Sequence, residues 1–207
     1  SDRPHGVPAL RLVALLEQAG VRPYLMLENA EVSGIVDDSR RAVPGSLFVA
    51  MPSANTDTSA FVPQALSLGA KHVLTNSQQT FDKALADGAS PVLLPGNDRA
   101  FLAQLGRICR TFHGDPTRSM RVVGITGTNG KTTTAWMVSE ALRALGRSAA
   151  YLGTLGFQIG TERREIANTT PFPVELWNLL AEARDSGVQD FVMEASSHAL
   201  FERRLAG

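Results

Sequence analysis

Charge of one sign is what this sequence most lacks: its twenty Lys and Arg meet twenty Asp and Glu, for a formal net charge of zero. A nucleic-acid binder carries a basic footprint, so nucleic acid is not an expected partner. Any polyanionic ligand must instead be held locally, by a few placed groups. Cysteine is nearly absent too. The single Cys109 cannot form an internal disulfide, and a reducing compartment is expected. It falls at helical spacing with Phe101, Leu102, Leu105, Ile108 and Phe112, where a buried, inert thiol is expected rather than a nucleophile. No apolar run approaches the roughly 20 residues of a membrane span, and no signal-like segment opens the sequence. The expected setting is therefore the cytoplasm, with no membrane partner. Aromatic residues are few, at 6%, yet hydrophobic residues at 43% supply ample core, which excludes a disordered chain.

What is present is an alternation of helical and strand patterns, the mark of an α/β protein. At 207 residues two compact units are expected. Leu12, Val13, Leu15, Leu16 and Ala19 lie at helical spacing before Gly20. Short apolar runs follow at Ile35–Val36 and Leu47–Ala50, then a helical stretch from Phe61 to Leu68. His72–Thr75 and Val92–Leu94 read as buried strands around a polar helix at Gln78–Ala86. Pro95-Gly96 is a break, and Asn97 can cap a helix running to Phe112. Because that helix leads straight into the next strand, the boundary is expected near Gly96, giving domains 1–96 and 97–207.

The second unit opens with a strand at Arg121–Thr126, a glycine-rich turn, and a helix with Met137, Val138, Ala141, Leu142 and Leu145 on one face. A strand at Ala149–Leu152, a helix from Pro173 with Val174, Trp177, Leu180 and Ala181 inward, and a strand at Phe191–Met193 complete it. These are too few strands after the glycine turn for an ordinary doubly wound sheet, so this domain is expected to be incomplete.

The strongest chemical signal is Gly127-Thr128-Asn129-Gly130-Lys131-Thr132-Thr133 between strand and helix. Glycines let successive backbone N–H groups converge on phosphate oxygens, and a helix N-terminus adds its positive dipole end. Lys131 can reach the outer phosphates, and Thr132 is placed to hold Mg²⁺. The general phosphate-loop pattern departs at one point, since Ile125 stands where the first glycine is wanted.

Thr126–Thr133 (T-G-T-N-G-K-T-T) resembles the ATP loop of the Mur ligases, in which the early glycine is also missing. Asn168-Thr169-Thr170-Pro171 and Met193-Glu194-Ala195-Ser196-Ser197-His198-Ala199-Leu200 follow in the same order. Asp38-Ser39-Arg40 and Pro44-Gly45-Ser46-Leu47-Phe48-Val49-Ala50 extend the likeness backward. Together these motifs are similar to the MurE type, which adds the third amino acid to UDP-N-acetylmuramoyl-L-alanyl-D-glutamate. The resemblance implies a small N-terminal α/β substrate domain followed by the first part of a P-loop ATPase domain with a mostly parallel sheet.

The same resemblance implies roles residue by residue. Lys131 and Glu194 would serve catalysis, Gly127 to Thr133 would hold ATP, and Thr132 and Glu194 would face Mg²⁺. Asn168, Thr169, Thr170, Ser196, Glu202 and Arg204 would contact the muramoyl peptide, with Glu202 standing where the family often has Gln. Asp37, Ser39, Ala54, Asn55 and Thr56 would lie near the uridine, although the His-Gln pair of some relatives is missing there. Read by themselves, Asp37 and Asp38 suggest a turn rather than a metal pair, since adjacent strand residues point to opposite faces. His198 reads as a hydrogen-bonded structural histidine.

The implied reaction is ATP-dependent amide formation through an acyl phosphate. The partners are the UDP-muramoyl dipeptide and a diamino acid, meso-diaminopimelate or lysine, and the full-length protein is expected to be a monomer. Alternatives are another Mur step, a folylpolyglutamate synthetase-like ligase, or, for the sequence as it stands, a non-catalytic nucleotide-binding module. On its own the sequence is expected to be inactive as a ligase.

Overall fold

A computed structural model describes residues 10–53 and 56–207. The chain forms two compact units, one ending at Phe112 and one running from His113 to Gly207.

The first unit holds β1 (Leu10–Arg11), α1 (Leu12–Gln18), β2 (Leu25–Met26), β3 (Glu31–Val32), β4 (Gly34–Val36), β5 (Ser46–Val49), α2 (Val62–Ser67), β6 (His72–Thr75), α3 (Gln78–Ala86), β7 (Ser90–Leu93) and α4 (Asp98–Phe112). Its main sheet has the order β2-β7-β6-β5-β4. Strands β4 to β7 pair in parallel and β2 joins antiparallel at the edge. Every residue of β5 and β6 is buried, as expected of parallel strands covered on both faces. The core between sheet and helices is built from Phe48, Val62, Val73 and small residues such as Ala65 and Ala84. Ser77 caps α3 by accepting from Thr80 N, and Asn97 Oδ1 accepts from Ala100 N at 3.0 Å to start α4.

The division falls one helix later than the Gly96 expected from the sequence. Helix α4 packs beside α1 and belongs with the residues before it. Its stripe of Phe101, Leu102, Leu105, Ile108, Cys109 and Phe112 is buried, and burial outweighs the adjacency in sequence that suggested otherwise. Cys109 is the buried thiol that spacing predicts, its pKa pushed up by burial.

The second unit comprises β8 (Arg121–Ile125), α5 (Lys131–Ala144), β9 (Ala149–Gly153), β10 (Gly156–Ile159), β11 (Glu162–Arg164), α6 (Pro173–Asp185), β12 (Asp190–Glu194) and α7 (Ser197–Phe201). The sheet order is β11-β10-β9-β12-β8. Strands β9, β12 and β8 are parallel, while β10 and β11 form an antiparallel hairpin that the sequence reading did not foresee. The α/β class with mostly parallel sheets stands. Among the described residues no helix is long and apolar enough to cross a membrane.

Helix α6 buries Val174, Trp177, Leu180 and Ala181 as the spacing predicts. Helix α5 follows its expected face only in part, since Val138 and Leu142 pack on the core. Met137 and Leu145 are exposed at 63% and 78%, whereas Ala135 and Ser139 are buried. Small residues let α5 approach the sheet closely, with Trp136, Val138 and Leu142 packed around Ala135, Tyr151 and Val192. In β12 the register sets Glu194 beside Ile125, so the strand ends where the glycine loop begins.

Candidate functional site

Parallel strands β8, β12 and β9 deliver their C-terminal ends to one place, where open α/β sheets bind ligands. From β8 the chain passes through Gly127 (φ +149°) to Gly130 (φ +78°), backbone conformations that suit glycine. Gly130 is the N-cap of α5 and no side chain caps that helix start. The unsatisfied N–H groups of its first turn are thus left for a ligand, and an anion is the one they favour. Lys131 is half-buried and its Nζ donates to Gly127 O at 2.7 Å, which places the ammonium over the loop.

Glu194 closes β12 with 1% exposure. Tyr151 Oη donates to its Oε1 at 2.6 Å, and Thr154 N donates to the same oxygen at 2.8 Å. The Thr132 hydroxyl donates to Oε2 at 2.9 Å, joined by Thr154 Oγ1 at 3.3 Å. The carboxylate therefore bridges β9, β12 and the start of α5. Burial, followed by the Glu194 hydrogen bond, drives the Tyr151 pKa upward, so its phenol acts as a donor. A side chain at Gly153 has no room: its Cβ would fall 2.2 Å from Glu194 Oε1 and 2.5 Å from Tyr151 Oη.

The loop from Asn168 to Thr170 forms the opposite wall. Thr169 Oγ1 lies 3.2 Å from Thr154 Oγ1. Thr170 is buried, donating to Glu194 O at 3.0 Å and accepting from Ser196 N at 3.2 Å, so its hydroxyl locks the backbone around Glu194. Ser196 caps α7 through Ala199 N. Arg204 lies over the Phe172 ring at 4.0 Å and its Nε donates to Glu202 Oε2 at 2.7 Å. Together these groups enclose a cavity of about 480 Å³, lined by Thr128 to Thr132, Thr154, Asn168 to Thr170, Glu194, Ser196 and Arg204. Gly127, Thr133 and Glu202 are not among its lining residues.

Residues 125–207, which contain the loop and Glu194, match the Mur ligase middle domain. The chain belongs to the Mur ligase family. It is 41% identical over 205 residues to a Streptomyces avermitilis protein described as "UDP-N-acetylmuramoyl-L-alanyl-D-glutamate--2,6-diaminopimelate ligase", an alignment covering 99% of this chain and 39% of that protein. A Roseiflexus sp. protein described as "UDP-N-acetylmuramyl-tripeptide synthetase" is 39% identical over 204 residues, or 96% of this chain and 38% of the relative. A solved structure of a diaminopimelate ligase of the first description superposes with TM-score 0.74 and 24% identity, over 97% of this chain and 38% of its own. At that identity the shared fold is what the likeness establishes. The chain spans about two-fifths of the length of the curated relatives it matches.

Glu194 is buried, and among the described residues no lysine, arginine or histidine forms an ion pair with it. A buried carboxylate with no cationic side chain beside it suits a cation. The described residues hold no cluster of three His, Cys, Asp or Glu, so a cage made of protein ligands alone is not on offer. One carboxylate beside one hydroxyl fits Mg²⁺, which takes few protein ligands and completes its shell with water and phosphate oxygens.

The Mur ligase resemblance also pointed to the first unit. There Asp37 is half-buried, and burial raises its pKa. Asp38 caps a short turn of 3₁₀ helix, Ser39–Arg41, and its carboxylate is held by Arg40, in keeping with the expected turn. Ser39 is buried and donates to Gln64 Oε1 at 2.6 Å, a bond that ties the turn to α2. Thr56 is exposed, while Ala54 and Asn55 lie outside the described residues. His198 is exposed, and its Nε2 lies 3.1 Å from Oε1 of Glu202, the C-cap of α7.

Three residues of the site escaped the sequence reading: Tyr151, Gly153 and Thr154. The reading ended β9 at Leu152, although the strand runs to Gly153. A Gly-Thr pair at the carboxyl end of a strand beside a phosphate loop was the signal available.

Proposed function

We propose that the chain is the nucleotide- and acceptor-binding part of an ATP-dependent carboxylate–amine ligase acting in peptidoglycan synthesis. The observation that carries this reading is the meeting of Thr132 Oγ1 and Glu194 Oε2 at 2.9 Å beside an uncapped helix start. Around it, the loop N–H groups and Lys131 suit the β- and γ-phosphates of ATP. Phosphoryl transfer asks mainly for positioning and charge neutralisation, and these groups supply both. Bound Mg²⁺ would neutralise developing phosphate charge, held by Thr132 and Glu194. Asn168, Thr169, Ser196 and Arg204 share the cavity and suit the acceptor, with Arg204 supplying a positive charge there.

In this reading ATP phosphorylates the D-glutamate carboxylate of UDP-N-acetylmuramoyl-L-alanyl-D-glutamate. The amine then attacks the acyl phosphate, forming the amide and releasing phosphate. The name of the Streptomyces avermitilis relative favours 2,6-diaminopimelate over lysine as the amine. The first unit is assigned to the uridine end, through the surface near Asp37 and Thr56. The setting is the cytoplasm, in line with the single cysteine.

The test is calorimetric titration of the chain with ADP and Mg²⁺. Lys131→Ala should weaken binding by about 10- to 100-fold, the loss of one hydrogen bond to a charged group. Glu194→Gln should remove the dependence on Mg²⁺. Because Lys131 is only half-buried in the first turn of α5, its replacement should leave the fold intact. Unchanged affinity in the Lys131 variant would sink the phosphate assignment.

A further inference from the structure

Glu194 has two oxygens, and the fold treats them differently. Oε1 is turned inward, where it accepts from Tyr151 Oη at 2.6 Å and Thr154 N at 2.8 Å. Among the described residues Oε2 meets threonine hydroxyls, those of Thr132 and Thr154. Tyr151 itself has no freedom. It is fully buried on β9, its ring meets Trp136 edge-on at 5.4 Å and 79°, and its oxygen accepts weakly from Leu155 N at 3.4 Å. Gly153 is the one residue type that leaves space for this contact, since any Cβ there would strike both oxygens.

We propose that Tyr151 is a positioning residue for Glu194, an inference that rests on the Mg²⁺–nucleotide site proposed above. By saturating Oε1 from within the core, the phenol and the Thr154 amide fix the plane of the carboxylate. Oε2 is then the oxygen presented to the cavity, next to the Thr132 hydroxyl. A phenol suits this task because its position is set by a rigid ring and not by a flexible chain. Tyr151 does not touch the ligand; it acts through Glu194.

The role separates from plain core filling in Tyr151→Phe, which keeps the ring and removes one oxygen. Binding of a fluorescent ADP analogue to the 207-residue chain is titrated with Mg²⁺ and repeated in EDTA. The expected result is a Mg²⁺ midpoint raised by about tenfold or more, the usual effect of losing a partner behind a metal ligand, with binding in EDTA unchanged. Gly153→Ala, which intrudes on the same oxygens, should raise the midpoint in the same direction and serves as a second variant. A Tyr151→Phe chain that melts earlier but keeps the wild-type midpoint has lost only a stabilising hydrogen bond, and overturns the proposal. Mg²⁺-independent binding by the unaltered chain overturns the metal site and the role of Tyr151 with it. A metal-dependent wild type beside an unshifted variant overturns Tyr151 alone.

Discussion

His113 opens the second unit with 3% exposure, and burial, with the Arg184 cation nearby, lowers its pKa from 6.5 to about 4. The folded state therefore keeps the ring neutral through a range in which the unfolded chain takes up a proton. Above pH 6.5 neither state is protonated there and the residue has no effect on stability. As pH falls below 6.5 the unfolded chain gains protons that the folded one refuses, and stability drops until the folded pKa is reached. At pH 5 this amounts to about 2 kcal/mol by proton linkage. Urea unfolding at pH 7 and pH 5 should record that loss in the wild type and little of it in His113→Gln. An equal pH slope in the two proteins would mean that His113 is not the group responsible.

At the scale of elements, α4 is where sequence and structure part most clearly. Four of its large core side chains, Phe101, Leu105, Ile108 and Phe112, are each at most 3% exposed. At about 1.5–3 kcal/mol for each buried side chain, they contribute on the order of 6–12 kcal/mol. That is comparable to the whole stability of a domain, about 5–15 kcal/mol. A fragment ending at Gly96 should therefore be largely unfolded by circular dichroism, and one ending at Phe112 should melt cooperatively. A folded fragment ending at Gly96 would restore the boundary first read from the sequence.

Most elements of this unit were legible because period and punctuation agree. His72–Thr75 and Gln78–Ala86 have the bounds expected of them, since a buried strand and a capped helix each leave a local signature. Which unit a helix joins is a matter of distant contacts, and the pattern of α4 is the same in either. The exposed Met137 and Leu145 of α5 make the same point, for apolar spacing marks a face but not what covers it. The site divides likewise. The loop and Glu194 stand in local motifs, whereas the bond from Tyr151 to Glu194 joins residues 43 positions apart and is visible only once β9 and β12 are paired.

The molecule as a whole distributes its chemistry unevenly between its units. Every residue lining the 480 Å³ cavity comes from the His113–Gly207 unit. The loop, its helix and the three strands that aim them are likewise contained there, as are Tyr151 and Gly153 behind the carboxylate. If the nucleotide site is self-contained, cutting between Phe112 and His113 should leave it working. A fragment of residues 113–207 should then bind ADP with Mg²⁺ within about twofold of the intact chain, the spread expected of independent contributions. The complementary fragment, residues 8–112, should ignore ADP and bind UDP or the UDP-muramoyl dipeptide weakly, if the uridine end is its task. Calorimetry on the two fragments beside the intact chain decides the matter. A fragment of residues 113–207 that keeps its circular-dichroism spectrum but loses ADP would mean that the first unit completes the nucleotide site. ADP binding by residues 8–112 would reverse the division of labour altogether.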